Sequence, residues 1–466
     1  MSRILFVYPN KDGYPIVPLG ISVLAGVLKR EDHTVDLFDV TFLVPEKLDH
    51  EAREKTGVVE KVSTDEYWGA SNDIDIVKEF KNKILSFEPD LIAFSIVENN
   101  YGCAKELFRI AKETTKVPII VGGIFPTVAS EYFIEDENVD IICVGEGEYA
   151  LIDLANRIDH NGDITSIKNL IIKKDGQVIR NDLSNYYDWE PLTYQTWDIF
   201  DPRHLYKPFM GRMWKTGFFE MSRGCPYQCT YCVNSVYQKI FKSLGKYHRE
   251  KPIKYCIQEI EYMKTKYSLE LIFFNDENFL MMSEQRFGDF CRQYKEKIDL
   301  PFFIQTRAET LIDDKKVEML KRCGCITIGL GVECGSEKIR KELLNKKTPN
   351  EVYIQAIENC NKYDIRTTAY VMIGLPFETE KDILITANFC KKLKARSIAL
   401  SIFAPYRGSV LHDVCVKEGF IQDRYYEDVS VNYSTILEMP QLPKGKLEEL
   451  YYNFNALVYE THSVEC

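Results

Sequence analysis

Through the first 160 residues, short β-branched apolar runs alternate with stretches whose apolar positions recur at helical spacing, the pattern of a parallel sheet covered by helices. Ile4 to Tyr8 predicts a first strand, Leu19 to Leu28 a helix and Thr34 to Val40 a second strand. A polar, irregular stretch from Pro45 to Ser71 interrupts the pattern. It resumes with a helix over Ile76 to Leu85, a strand over Leu91 to Ile96, a helix over Cys103 to Glu113, and strands at Pro118 to Val121 and Ile141 to Val144. The expectation is a doubly wound, Rossmann-like domain of five strands in residues 1–160. Residues 161–214 loosen into a linker rich in Tyr, Trp and Pro, with a hairpin at Leu170 to Arg180 turning on Asp175-Gly176. A second β/α series follows, with strands expected at Phe218 to Met221, Leu271 to Phe274, Phe302 to Gln305, Ile326 to Val332, Thr367 to Ile373 and Ser397 to Phe403. Six units are fewer than the eight of a closed barrel, so residues 215–410 read as a partial (β/α)6 TIM-type barrel. Residues 411–466, with Tyr451, Tyr452, Phe454 and Tyr459, read as a small helical cap, and the class overall is α/β.

Ligands of doubly wound sheets sit at the carboxyl ends of the strands, so the loops there are the informative ones. They include Val121-Gly122-Gly123-Ile124-Phe125-Pro126-Thr127 and Val144-Gly145-Glu146-Gly147-Glu148. Glycines at these positions let backbone approach a bulky ligand closely, or they simply make tight turns; the residues alone leave both readings open. No GxGxxG occurs at the first turn, which argues against a dinucleotide.

Composition narrows the class. Hydrophobic residues at 45% and charged residues at 28% are ordinary globular values, and a net charge of -11 argues against a nucleic-acid partner held by bulk charge. The apolar run at the start is broken by Pro9 and Asn10 and is too short for a signal peptide. No run reaches the roughly 18 apolar residues of a membrane span. The chain is therefore expected in a reducing cytoplasm, where clustered cysteines mean metal or catalysis more often than disulfides.

Of 14 cysteines, three lie within eight residues, in Ser222-Arg223-Gly224-Cys225-Pro226-Tyr227-Gln228-Cys229-Thr230-Tyr231-Cys232, just after the first strand of the second series. Three thiolates on one loop can hold three corners of an iron-sulfur cube, and with no fourth cysteine nearby one iron stays open to a small molecule. Zinc is the competing reading, with His248 as the fourth ligand. Most other cysteines, among them Cys256, Cys291, Cys360 and Cys390, sit on apolar helical faces and read as small core hydrophobes.

The CxxxCxφC pattern, with Tyr231 at the aromatic φ position, resembles that of the radical S-adenosylmethionine (SAM) superfamily. The resemblance continues in order through Phe273-Phe274-Asn275-Asp276-Glu277-Asn278-Phe279, Gln305-Thr306-Arg307-Ala308-Glu309, Gly329 to Ser336, Met372 to Thr379 and Ala404 to Ser409. The glycine loops after the early strands resemble those of the subgroup with an N-terminal cobalamin-binding domain. The resemblance implies a 4Fe-4S cluster on Cys225, Cys229 and Cys232, with Tyr231 beside it. It implies SAM contacts from Arg307, Glu333 and Ser336, and cobalamin contacts from Gly122, Gly123, Phe125, Thr127, Gly145, Glu146, Gly147 and Glu148. Asp276 and Glu277 are expected to serve substrate chemistry or to cap the next helix. No DxHxxG motif is present, so no histidine is expected beneath cobalt.

The implied reaction is methylation of an unactivated carbon through a 5′-deoxyadenosyl radical. The alternative in the same family is epimerisation, dehydration or rearrangement of a sugar, peptide or lipid precursor without methyl transfer, the first domain then holding no cobalamin. Implied partners are a small-molecule or peptide substrate and an electron donor such as flavodoxin or ferredoxin.

Overall fold

The computed structural model describes residues 1–11, 14–43, 62–69, 74–421 and 433–459. These form two compact units. One holds the described parts of Met1–Leu48 and Ser63–Lys207, with Lys239–Lys246; the other holds Pro208–Gln238 and the described residues from Tyr247 on.

The first unit is built on a seven-stranded sheet in the order β2-β1-β3-β4-β5-β6-β7. Strands β1 (Arg3–Tyr8), β2 (Thr34–Asp39), β3 (Leu91–Ser95), β4 (Ile119–Gly122) and β5 (Ile141–Cys143) are parallel. Ile4, Leu5, Phe6 and Val7 are all buried, as a strand covered on both faces requires. Helix Ile76–Phe87 starts where the Asp75 carboxylate accepts the Lys78 N–H at 3.0 Å, and it buries Phe80, Ile84 and Phe87. The hairpin of β6 (Leu170–Lys174) and β7 (Gln177–Arg180) was expected in a linker. It instead adds to β5 in antiparallel fashion, because Leu170, Ile171 and Ile172 are buried and cover an edge that would otherwise be exposed. Of the stretch expected to be irregular, residues 62–69 are described and contain the short helix Asp65–Trp68; the rest lies outside the described residues.

The second unit is a curled sheet in the order β16-β15-β14-β13-β12-β9-β8. Its six parallel strands are β9 (Arg212–Phe219), β12 (Leu271–Phe274), β13 (Phe302–Thr306), β14 (Cys325–Glu333), β15 (Arg366–Ile373) and β16 (Ser397–Ile402). Strand β8 (Tyr206–Phe209) pairs with β9 through a turn at Met210-Gly211. A short ladder of β10 (Ser222–Arg223) and β11 (Arg249–Glu250) lies apart from the main sheet. Between sheet and helices, Phe274, Phe279, Phe290, Tyr294 and Phe302 form an aromatic cluster with centroids 4.8 to 6.4 Å apart. Such pairs add about 0.5 to 1.5 kcal/mol each beyond burial, which holds the half-barrel's wall rigid behind its strand ends. The closing helix Lys444–Tyr459 buries Leu447, Leu450, Tyr451, Phe454 and Val458 and packs on helix Glu380–Leu393, while Tyr452 and Tyr459 are exposed.

Candidate active site

The cysteine loop leaves the carboxyl end of β9 and is clamped on both sides. Arg223 pairs with Arg249 in the β10–β11 ladder. Gly224 takes φ +85°, and a Cβ there would lie 2.6 Å from the Tyr247 carbonyl oxygen, so only glycine fits. Past the loop, the Gln238 side-chain amide donates to the carbonyls of Cys225 and Tyr227 at 2.8 and 2.9 Å. The Asn234 amide points at the Cys232 sulfur from 3.6 Å and is itself held by the Tyr247 hydroxyl at 2.8 Å.

Two of the three thiols, Cys225 and Cys232, are held on the protonated side. Burial pushes Cys225 up to about 11, and the neighbouring charges of Cys232 and Glu277 add to the rise; Cys232 is raised for the same reasons. Among the described residues no three His, Cys, Asp or Glu side chains are gathered tightly enough for a single ion. His248 does not serve as a fourth ligand: its two ring nitrogens face the carbonyls of Gly224 and Met281 at 3.1 and 3.2 Å. The zinc reading thereby loses its fourth corner.

Around the loop, the carboxyl ends of the next strands present the expected polar residues. Arg307, after β13, stacks its guanidinium 3.9 Å from the Tyr227 ring centre and donates to Glu309 at 2.7 Å and Thr348 at 3.1 Å. Its Nε has no partner, which leaves a donor for a ligand carboxylate. Burial alone would raise the Glu309 carboxyl, but Arg307 and Thr348 hold it below its ordinary value. Glu333 ends β14 at φ +70°, a left-handed conformation forced at a shift in strand register. One of its oxygens accepts from both the Tyr231 hydroxyl and the Lys346 ammonium at 2.8 Å. Burial would lower the Lys346 pKa, yet the Glu333 carboxylate outweighs it and leaves the ammonium more basic than usual. Ser336 caps helix Glu337–Glu342, accepting the Ile339 N–H at 3.4 Å.

Asp276 and Glu277, neighbours in sequence, part company. Asp276 is buried and accepts from the Met221 N–H at 3.0 Å and the Ser222 hydroxyl at 2.5 Å, so it fastens the root of the cysteine loop. Burial raises its carboxyl to about 7. Glu277 reaches solvent from crowded surroundings; desolvation raises its carboxyl, and its charge is felt by Cys225 and Cys232.

In the first unit, several expected ligand residues are tied to the protein. Phe125 is packed among Tyr101 and Phe133 at 5.3 Å. Thr127 donates to the Gly123 carbonyl at 2.8 Å and accepts the Gly145 N–H at 3.0 Å, joining the two loops. Gly145, at φ +87°, leaves room for the Phe241 ring, which a Cβ would meet at 2.8 Å. The Glu146 carboxylate accepts the Tyr187 N–H at 2.7 Å, Gly147 precedes helix Glu148–Asp159, and Glu148 is buried. What stays open is an apolar shelf at the ends of the central strands β3 and β4. Val97 and Ile124 are 42% and 45% exposed there, beside exposed Gly123 at φ +108°, and Gly122 is partly exposed.

The sequence did not single out Lys346 or Thr348. They sit in the polar run Asn345-Lys346-Lys347-Thr348, which carries no periodicity; only their burial reveals them. Cys256, Cys334, Cys360, Cys390 and Cys415 behave as core: burial pushes each up to about 12.

The second unit is thus a half-barrel with three cysteines on the loop that follows its first parallel strand, and the first unit is a mainly parallel sheet covered by helices. A family model described as the radical SAM superfamily matches residues 219–390, and one described as the B12 binding domain matches residues 7–155. The chain is a radical SAM enzyme that carries a B12-binding domain, and its cofactors are a 4Fe-4S cluster, SAM and cobalamin. It is 25% identical over 414 residues to an uncharacterized methyltransferase of Pyrococcus horikoshii, covering 87% of this chain and 79% of that protein. It is 24% identical over 421 residues to the anaerobic magnesium-protoporphyrin IX monomethyl ester cyclase of Rubrivivax gelatinosus, covering 87% and 68%. Its fold is similar to that of TsrM, a radical SAM methyltransferase of Kitasatospora setae solved with cobalamin and a 4Fe-4S cluster bound. The TM-score is 0.64 at 18% identity, covering 90% of this chain and 75% of that one.

Proposed function

We propose that the protein is a cobalamin-dependent radical SAM methyltransferase acting on an unactivated carbon of a small-molecule or peptide substrate. The observation that supports this reading is the presence, in one chain, of both the open cysteine loop and the apolar shelf of Val97, Gly123 and Ile124. When bound, the cofactors supply a 5′-deoxyadenosyl radical from reductive cleavage of SAM and a methyl group carried on the corrin. Cys225, Cys229 and Cys232 hold the cluster with one iron free for the amino acid end of SAM. The unpartnered Nε of Arg307 takes the SAM carboxylate, and Glu333 takes an amino or ribose hydroxyl group. Ser336 keeps the loop after β14 in place through its helix cap, and Glu277 holds or moves a proton beside the cluster loop. Gly122 and Gly123 admit the corrin close to backbone, while Thr127, Glu146 and Glu148 brace the loops around it. The chain works in a reducing cytoplasm and draws its electron from a donor of the flavodoxin or ferredoxin class. No helix among the described residues is long and apolar enough to cross a membrane.

The test is anaerobic turnover of reconstituted protein with dithionite, SAM bearing a trideuterated methyl group, and candidate substrates, read by mass spectrometry. A product heavier by the labelled methyl, together with 5′-deoxyadenosine, is expected, and Cys229→Ala abolishes both. Deoxyadenosine with loss of water or no mass change in product would establish the epimerase, dehydratase or rearrangement chemistry instead.

A further inference from the structure

One short segment touches the cysteine loop, Glu333 and Arg307 at once. The carbonyls of Leu343 and Leu344 accept from the Thr230 hydroxyl and N–H at 2.6 and 3.2 Å, and the Asn345 amide donates to the Gln228 carbonyl at 2.8 Å. Gln228 and Thr230 flank Cys229, so the segment grips the cysteine loop directly. One residue on, Lys346 is buried and holds both Glu333 and the Gly331 carbonyl. A Cβ at Gly331 would lie 2.9 Å from the Lys346 nitrogen, so the glycine leaves the room this ion pair needs. Two residues further, Thr348 receives Arg307 and donates to Glu309. The segment is itself fixed from behind by Arg340, whose fully buried guanidinium donates to the Cys334 carbonyl at 2.5 Å and the Thr348 carbonyl at 3.1 Å.

We infer that Leu343–Thr348 is a clasp that sets the SAM-binding side chains in register with the cluster loop, with Lys346 as the positioning residue for Glu333. This rests on the SAM reading of the site given above. The physical case is that Glu333 is buried and its carboxylate is held by two side chains, Tyr231 and Lys346. Lys346 and Tyr231 both fasten the same oxygen, and the other oxygen makes no hydrogen bond. A buried carboxylate stripped of its cation would lose one of the two side chains that fix it and swing away, and SAM would meet a displaced acceptor. Lys346 touches neither cluster nor radical in this arrangement; it acts through Glu333.

Outer-shell partners of this kind cost about tenfold to a hundredfold when removed. Lys346→Met is therefore expected to raise the KM for SAM in reductive cleavage by about tenfold or more. The iron content and the electron paramagnetic resonance signal of the reduced cluster without SAM should stay unchanged, and the spectral change on adding SAM should need correspondingly higher concentrations. Lys346→Arg should recover most of the affinity. Wild-type KM in Lys346→Met overturns the inference. If Lys346→Met fails to incorporate iron, Thr348→Ala decides: a raised KM for SAM through the loosened Arg307 supports the clasp, and an unchanged KM overturns it. Absence of deoxyadenosine from the wild-type protein would instead defeat the underlying reading of the site.

Discussion

Glu378, in the loop after β15, shows how much a single buried carboxyl governs. One oxygen accepts the N–H groups of Gly374 and Leu375 at 2.6 and 3.0 Å, while the other has no partner and the residue is fully buried. Burial raises its carboxyl to about 8. The folded chain thus keeps a proton that the unfolded chain, with an ordinary pKa of about 4.3, has already lost at neutral pH. The stability this contributes is present in full below about pH 4 and is lost as pH rises through the folded value near 8. Glu378→Gln keeps the acceptor and removes the titration. It should match the wild type in thermal midpoint near pH 4 and exceed it near pH 9 by a few kcal/mol in equivalent stability; parallel curves across that range would refute the argument. The same logic separates Asp276 from Glu277. Sequence presents them as equivalent carboxylates, and only burial turns the first into a fastener of Met221 and Ser222 and leaves the second facing the cysteine loop.

At the scale of elements, the cysteine loop depends on glycine as much as on cysteine. Gly224→Ala places a Cβ against the backbone oxygen of Tyr247 and requires φ near +85°, a conformation that costs a residue with a side chain about 1 kcal/mol or more. The expected outcome is substoichiometric iron after reconstitution. Gly176→Ala, at φ +74° in the β6–β7 turn with nothing within 4 Å, bears a similar backbone cost and should keep full iron. Equal iron in both variants would show that the Tyr247 contact is irrelevant. This contrast also marks what the sequence could convey. Hydrophobic periodicity carried the parallel strands and the six barrel units, since each strand buries its own apolar run. The cysteine spacing carried the cluster loop, because three ligands within eight residues need no knowledge of the fold. Hairpin β6–β7 was visible as a hairpin, but its place in the sheet depends on which edge lacks cover. Likewise Lys346 and Thr348 look like any solvated loop until β14 and the cysteine loop close around them.

The chain divides into two compact units, each with its own main sheet and its own core. The cysteine loop's clamps, from Arg223 and Arg249 to Gln238 and Tyr247, lie within the second unit. Conversely, the shelf is shaped by contacts within the first sheet: the Phe125 N–H donates to the Ile96 carbonyl at 3.2 Å, and Thr127 links the loops after β4 and β5. Loading of the two cofactors should therefore be separable. The triple variant Cys225→Ala, Cys229→Ala, Cys232→Ala should contain no cluster iron yet bind cobalamin in the wild-type ratio, with the same visible spectrum. Ile124→Asp should do the reverse. Ile124 is half exposed, so the change costs the fold little, but it sets a carboxylate under an apolar ring face and should weaken corrin binding by about tenfold or more while iron stays stoichiometric. Iron analysis alongside corrin absorbance on the same samples reads both halves at once. Joint loss of corrin and iron in the triple variant, with its thermal midpoint otherwise preserved, would mean that the cluster organises the corrin site, and the two units could no longer be treated as independent holders of their cofactors.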